Sequence, residues 1–123
     1  MAEAAQNLAV AEILAAAFEV LPKPIIVSDY RVVILANAAM RALLHVEDRS
    51  DIEGVEAITL LHPDVREAVL ERKRLLLAGA SGFHDVPIKL LASDGTTVHA
   101  RVTVTPIEHG DTQFAVLLYE PTA

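Results

Sequence analysis

The chain has 123 residues, no cysteine, no tryptophan and a formal charge of −7. That length makes one domain with a single core, and the acidic balance argues against broad nucleic-acid binding, which needs cations to displace phosphate counterions. The lack of cysteine excludes disulfides, thiolate nucleophiles, zinc knuckles and thiol-linked chromophores.

The core must be aliphatic, since 53% of residues are hydrophobic and only 4% aromatic. No segment approaches the ~20 apolar residues of a membrane span. The N-terminus carries Glu3, Glu12 and Glu19 in place of a basic leader, which speaks against a secretion signal. A soluble module without membrane insertion, cytoplasmic by default, is expected.

Residues 2–21 are strong helix formers. Val10, Ile13, Leu14, Ala17, Phe18 and Leu21 recur at helical spacing as one apolar stripe, and Pro22 and Pro24 end it. The stripe must cover the chain's own sheet or pair with the same helix of a second copy. The domain division that follows is a helix at 1–21 and a folded unit at 22–120.

From Pro24 to Leu44 two apolar runs flank Asp29, Tyr30 and Arg31, which predicts a hairpin. Asn37 stands at the N-cap position of a short helix, its side-chain oxygen placed to accept from free backbone amides. A polar stretch runs from His45 to Glu53 and closes at Gly54, and Val55–Leu61 reads as one or two helical turns packing inward. His62-Pro63-Asp64 starts a helix that stops at Gly79, with proline in the first turn and acids at the positive end of the dipole. Val65, Ala68, Val69, Leu75 and Leu76 form its expected buried side.

Three strands follow, His84–Leu91, Thr96–Ile107 and Gln113–Tyr119, separated by turns at Ser93-Asp94-Gly95 and His109-Gly110-Asp111. The middle one alternates apolar and polar residues, as a strand with one wet face does. The first and last strands are apolar on both faces and belong at the sheet centre. Placing them side by side gives an antiparallel order 2-1-5-4-3, with the intervening helices on one face: an α+β fold.

That layout resembles the PAS domain family over Phe18–Tyr119. The residues that carry the resemblance are Leu21-Pro22 with Pro24-Ile25-Ile26-Val27-Ser28-Asp29, then Ile34-Leu35-Ala36-Asn37-Ala38-Ala39, then Leu61-His62-Pro63-Asp64. Ser93-Asp94-Gly95, Val102-Thr103-Val104-Thr105-Pro106-Ile107 and Gly110 complete the series. Two departures stand out. The first hairpin turn has no glycine, so Tyr30 and Arg31 make a shorter turn, and no Gly-Tyr pair follows Leu44.

The resemblance implies a sensory, dimerising module that regulates an attached output domain of a larger signalling protein. Flavin-thiol and coumaric-acid photochemistry both need a cysteine and are excluded. Haem-binding members use a histidine within the long helix, where this chain has none; His62 lies just ahead of it. By analogy Ile26, Ser28, Ile34, Ala36, Met40 and Leu44 face inward, with Val69, Ile88, Val102, Val104, Val116 and Leu118 around them. The hairpin would set Ile26, Ile34, Ala36 and Met40 at the mouth of any pocket. Such a lining suits an apolar ligand, a fatty acid for example, with no cofactor required; the same residues could equally fill a core without a ligand. The interface of the expected homodimer is Val10, Ile13, Leu14, Ala17, Phe18 and Leu21, with the outer face of the sheet.

Catalysis finds little support. Ser28-Asp29, Ser50-Asp51 and Ser93-Asp94 suit turns and caps, and no nucleophile elbow is present. His45, His62, His84, His99 and His109 form no i, i+4 metal pair. His99 and Arg101, on the wet strand face, could touch a partner. A cone-shaped isomerase or lyase remains the enzymatic alternative and would need an inward-pointing acid. A ligand-free dimerisation or protein-interaction module is the non-enzymatic one.

Overall fold

The computed structural model describes residues 2–122, with side chains from residue 9 onward. Met1, Ala123 and the side chain of Glu3 lie outside the described residues. The elements are α1 (Ala2–Val20), β1 (Ile25–Ser28), β2 (Val33–Ala36), α2 (Ala38–Leu43), two short 3₁₀ turns (Arg49–Asp51 and Ala57–Leu60), α3 (Pro63–Leu77), β3 (Phe83–Leu91), β4 (Thr97–His109) and β5 (Thr112–Pro121). The five strands form one antiparallel sheet in the order β2-β1-β5-β4-β3, the order expected from the two doubly apolar strands.

Each boundary has a local cause. Asn37 caps α2 by accepting from the Met40 amide at 3.1 Å. His62 caps α3, its Nδ1 accepting from the Asp64 amide at 3.1 Å, and Pro63 occupies the first helical turn. α3 ends where Gly79 adopts a φ of 109° and the Ala80 amide returns to the Leu75 carbonyl at 3.0 Å. In the β3–β4 turn, Asp94 accepts from both the amide and the hydroxyl of Thr96.

The inner face of the sheet packs against α2, α3 and the 3₁₀ turns. Met40, Leu44, Ile52, Leu90 and Val33 are its largest fully buried aliphatic side chains. α3 is less buried than its pattern suggested: Leu76 is buried, Val65 and Val69 are half-buried, and Ala68 and Leu75 are exposed. The helix covers only part of the sheet and leans its Val69–Leu76 edge on it.

α1 extends from this body and touches chiefly α2. Glu19 is held by Arg41 through two hydrogen bonds of 2.9 and 2.7 Å, and Arg41 also donates to the Ala36 carbonyl at 2.8 Å. Val10, Ile13 and Leu14 are 52%, 64% and 63% exposed. Alanines make the opposite side of α1 nearly as apolar, so the helix is only slightly amphipathic. Among the described residues no helix is long and apolar enough to cross a membrane.

Candidate functional site

Between α3 and the inner face of the sheet lie two adjoining cavities of about 110 and 280 Å³. They share Tyr30, Ala57, Leu61, Val69, Lys73, Leu117 and Tyr119 and together form one cleft. The inner cavity is walled by Ser28 of β1, Ile88 of β3, Val102 and Val104 of β4, and Ala115 of β5. Its walls are almost wholly apolar, aliphatic side chains joined by the rings of Tyr30, Phe83 and Tyr119. Small side chains at Ala57 and Ala115 leave space that a leucine would fill.

One end of the cleft is set by the first hairpin. Asp29 accepts from the amides of Arg31 and Val32 at 3.0 and 2.8 Å, and Ser28 Oγ accepts from the Tyr30 amide at 2.9 Å. The Val32 amide foremost holds the Asp29 carboxyl below its usual range. This turn requires a left-handed residue, and with no glycine available Tyr30 takes φ 74°. A bulky residue there costs roughly 1–2 kcal/mol. The strain accompanies a ring that lines both cavities, where burial raises its phenol pKa.

The expected lining divides into three groups. Ser28, Val69, Ile88, Val102 and Val104 do line the inner cavity. Ile26, Ala36, Met40 and Leu44 are buried in the filled half of the core instead. They lie at no mouth, because α2 and its C-cap carry Met40 and Leu44 into the same buried cluster as Ile26 and Ala36. Ile34, Val116 and Leu118 do not face inward. Ile34 is 39% exposed, the residue left without a partner where Val27 pairs Leu35 but Ser28 pairs Val33. Val116 and Leu118 sit opposite Val27 and Ile25 on the outer face, since Leu117 is the residue paired with inward Ile26. The outer face also holds the Arg101–Asp85 pair at 2.8 Å beside Leu118.

Sequence reasoning missed Tyr30, Leu61, Lys73, Leu76, Phe83, Leu117 and Tyr119, all of which line the inner cavity. The two tyrosines carried the available signal, being the only ones in the chain. Tyr119 is 5% exposed, and burial raises its phenol far above the ordinary range. His62, the residue on which a haem reading would rest, caps α3 and lines neither cavity. No carboxylate lines the inner cavity; Glu56 borders only the outer one. Among the described residues no group of three or more potential metal ligands is found.

Comparison with known proteins bears on the same residues. The family model for the PAS fold matches residues 12–119. The PAS domain of an HTR-like protein from Haloarcula marismortui is 17% identical, with a TM-score of 0.77 over 98% of each chain. A PAS domain from a two-component sensor histidine kinase is 10% identical, with a TM-score of 0.73 over 99% of this chain and 100% of that one. The PAS domain of a LuxR-family transcriptional regulator from Burkholderia thailandensis, in complex with ethanol, is 20% identical, with a TM-score of 0.71 over 87% and 95%. No curated protein sequence matches the chain. The family match covers α1 from Glu12, the sheet up to Tyr119 in β5 and the residues of the cleft, and the chain belongs to the PAS-fold family.

Proposed function

We propose that this domain is a non-catalytic sensor that takes a small, apolar-bodied ligand, a fatty acid for example, into the cleft between α3 and the sheet. It acts as a homodimer through α1 and the outer sheet face and regulates an output domain of a larger signalling protein. The observation that carries the reading is the cleft itself: aliphatic space next to a fully packed core half, with a strained tyrosine at its edge. Backbone strain of this kind gathers at functional sites. The inner cavity alone is smaller than the ~300 Å³ at which ligand pockets commonly begin, so a chain of more than a few carbons would extend into the outer one. The histidine-kinase and LuxR-family origins of similarly folded domains, one of them in complex with ethanol, support a signalling role and a small organic ligand.

Dimerisation is supported by Val10, Ile13, Leu14 and Val20 of α1, each more than half exposed, a surface of the kind that marks interaction sites. Val116 and Leu118, half-buried on the outer face, give the sheet an apolar surface of its own.

Native mass spectrometry of protein purified without delipidation tests the ligand, together with thermal shifts across a series of saturated fatty acids. Each methylene accommodated should improve affinity by about 0.8 kcal/mol until the cleft is full. A clean unliganded mass with no thermal shift at any chain length would sink the ligand and leave a ligand-free dimerisation module, the reading favoured by the complete packing around Met40 and Leu44.

A further inference from the structure

The polar groups common to both cavities are donors. Tyr30 and Tyr119 line both cavities, and Lys73 of α3 lines both with them. Tyr119 is 5% exposed, and its hydroxyl makes no hydrogen bond to another described residue, yet that oxygen is not sealed and keeps some accessible surface. A phenol whose ring is buried but whose hydroxyl has no protein partner is open to one from water or a ligand. A phenol is protonated and able to donate at neutral pH, and burial moves both of these further from ionising.

Lys73 has no carboxylate within ion-pair distance among the described residues, whereas Arg74, one position on, is tied to Glu71 at 2.6 Å. Arg72 also borders the inner cavity and is likewise unpaired. The single acid near the cleft, Glu56, touches only the outer cavity, beside Arg31. An aliphatic space is thus ringed by donors and cations in a chain whose net charge is −7.

We infer that the occupant is an amphipathic monocarboxylate, its carboxylate held by Lys73 with the two tyrosine hydroxyls as further donors, and its apolar body against Val69, Val102 and Leu117. This rests on the reading of the cleft as a ligand site and narrows it. A hydrocarbon would leave the Tyr119 hydroxyl unpaired. A neutral alcohol could satisfy one donor but not the positive charge. A carboxylate accepts up to about four hydrogen bonds, and charge-assisted bonds are roughly twice as strong as neutral ones. A doubly charged group would have to shed more water against walls that are otherwise aliphatic.

The chain has no tryptophan and only two tyrosines, both in the cleft, so intrinsic fluorescence reports on this site alone. Fluorescence and calorimetric titrations with octanoate and with 1-octanol form the test. Octanoate should bind about 10-fold tighter or better, a difference of one charge-assisted bond. Lys73→Met should bring octanoate down to the octanol level and leave octanol binding unchanged. Arg74→Met removes the same charge from the same helix away from the cleft and should alter neither. An unchanged thermal midpoint of the unliganded Lys73→Met protein establishes that it is folded, and Lys73→Gln replaces it if it is not. Equal binding of the two probes overturns the inference, as does an octanoate affinity indifferent to Lys73 or equally sensitive to Arg74. Binding of neither probe overturns the ligand reading itself.

Discussion

Replacing Asn37 by alanine should be among the most damaging single changes in this chain. The side chain is fully buried. Its Oδ1 accepts from the Ile25 amide at 3.0 Å and the Met40 amide at 3.1 Å, while Nδ2 donates to the Lys23 carbonyl at 2.9 Å and the Leu21 carbonyl at 3.5 Å. One residue therefore caps α2, anchors the start of β1 and holds the segment arriving from α1. Loss of the cap costs about 1 kcal/mol. Leaving the buried Ile25 amide unpaired adds roughly 1–3 kcal/mol. The carbonyls of Leu21 and Lys23, on exposed residues, can turn to water and add little.

The expected loss for Asn37→Ala is therefore about 3 kcal/mol out of the 5–15 kcal/mol typical of a domain, or a fall in Tm of roughly 10–15 °C. Urea unfolding followed by circular dichroism measures it, with an unchanged denaturant slope confirming that stability alone has moved. Asn37→Asp separates the two halves of the side chain. It keeps the acceptor for both amides but sets an oxygen against the Lys23 carbonyl, so it should be as damaging as alanine at neutral pH. Acidification should restore part of the loss, because the protonated acid can donate to that carbonyl. A cost below about 1 kcal/mol for alanine, the value of a cap alone, would refute the reasoning.

Arg41→Met removes the hydrogen bonds to Glu19 and to the Ala36 carbonyl, and should cost about 1–2 kcal/mol after allowance for partial exposure; hydrogen exchange should speed up in the last turns of α1 first. Gly82→Ala would place a methyl 2.5 Å from the Val104 carbonyl oxygen at a φ of 132°; a loss of roughly 2 kcal/mol or more, seen as a lower urea midpoint, is expected. Tyr119 has a raised folded-state pKa, so its contribution is complete below the ordinary tyrosine pKa of about 10 and declines above it, by up to about 1.4 kcal/mol per pH unit. Tyr119→Phe should flatten that alkaline decline; an identical decline in the variant would count against burial of the phenol. Ile13→Glu with Leu14→Glu, both at exposed positions, should give monomers in sedimentation at unchanged monomer stability, and an unaltered sedimentation profile would remove α1 from the interface.

The sheet was legible because β1 and β5 are apolar on both faces, a pattern that belongs at the centre of a sheet. Asn37 was legible because a cap has a compositional signature. The cleft was not, for the same reason that made β5 easy to place. In Phe114-Ala115-Val116-Leu117-Leu118 both faces are apolar, so alternation gives no sign of which one turns inward. Pairing with β1 decides it: Ile26 lies opposite Leu117, which sends Ala115, Leu117 and Tyr119 inward and Val116 and Leu118 outward. Ile34 fell on the wrong side because the irregular register between β1 and β2 breaks the two-residue period there. Ile52 sits in the core without being noticed, since Asp48, Arg49, Ser50, Asp51 and Glu53 around it read as a wet loop.

Any sensor built on this cleft needs a bound molecule to favour one arrangement of the chain over another, since a ligand shifts an equilibrium only by its differential affinity. The filled half of the core is a poor place for that difference. Met40, Leu44 and Asn37 have no room to move without opening voids or breaking the Asn37 bonds, and α1 is fastened to this half through Arg41 and Glu19. The cleft half meets the same helix by another route. Tyr119 points its ring into the cavity, while its amide donates to the Pro24 carbonyl at 2.9 Å and its neighbour Glu120 pairs with Lys23 at 2.7 Å. The Lys23–Glu120 pair is solvent-exposed and worth little, so the strap between α1 and β1 is held firmly at Asn37 and loosely at Glu120. A molecule that moves Tyr119 therefore pulls at the end of α1 through its weaker fastening, with the stronger one as the pivot. In that arrangement Lys23→Ala should leave stability nearly unchanged while reducing whatever change in α1 hydrogen exchange octanoate produces, and an undiminished response would show that the helix is reached some other way.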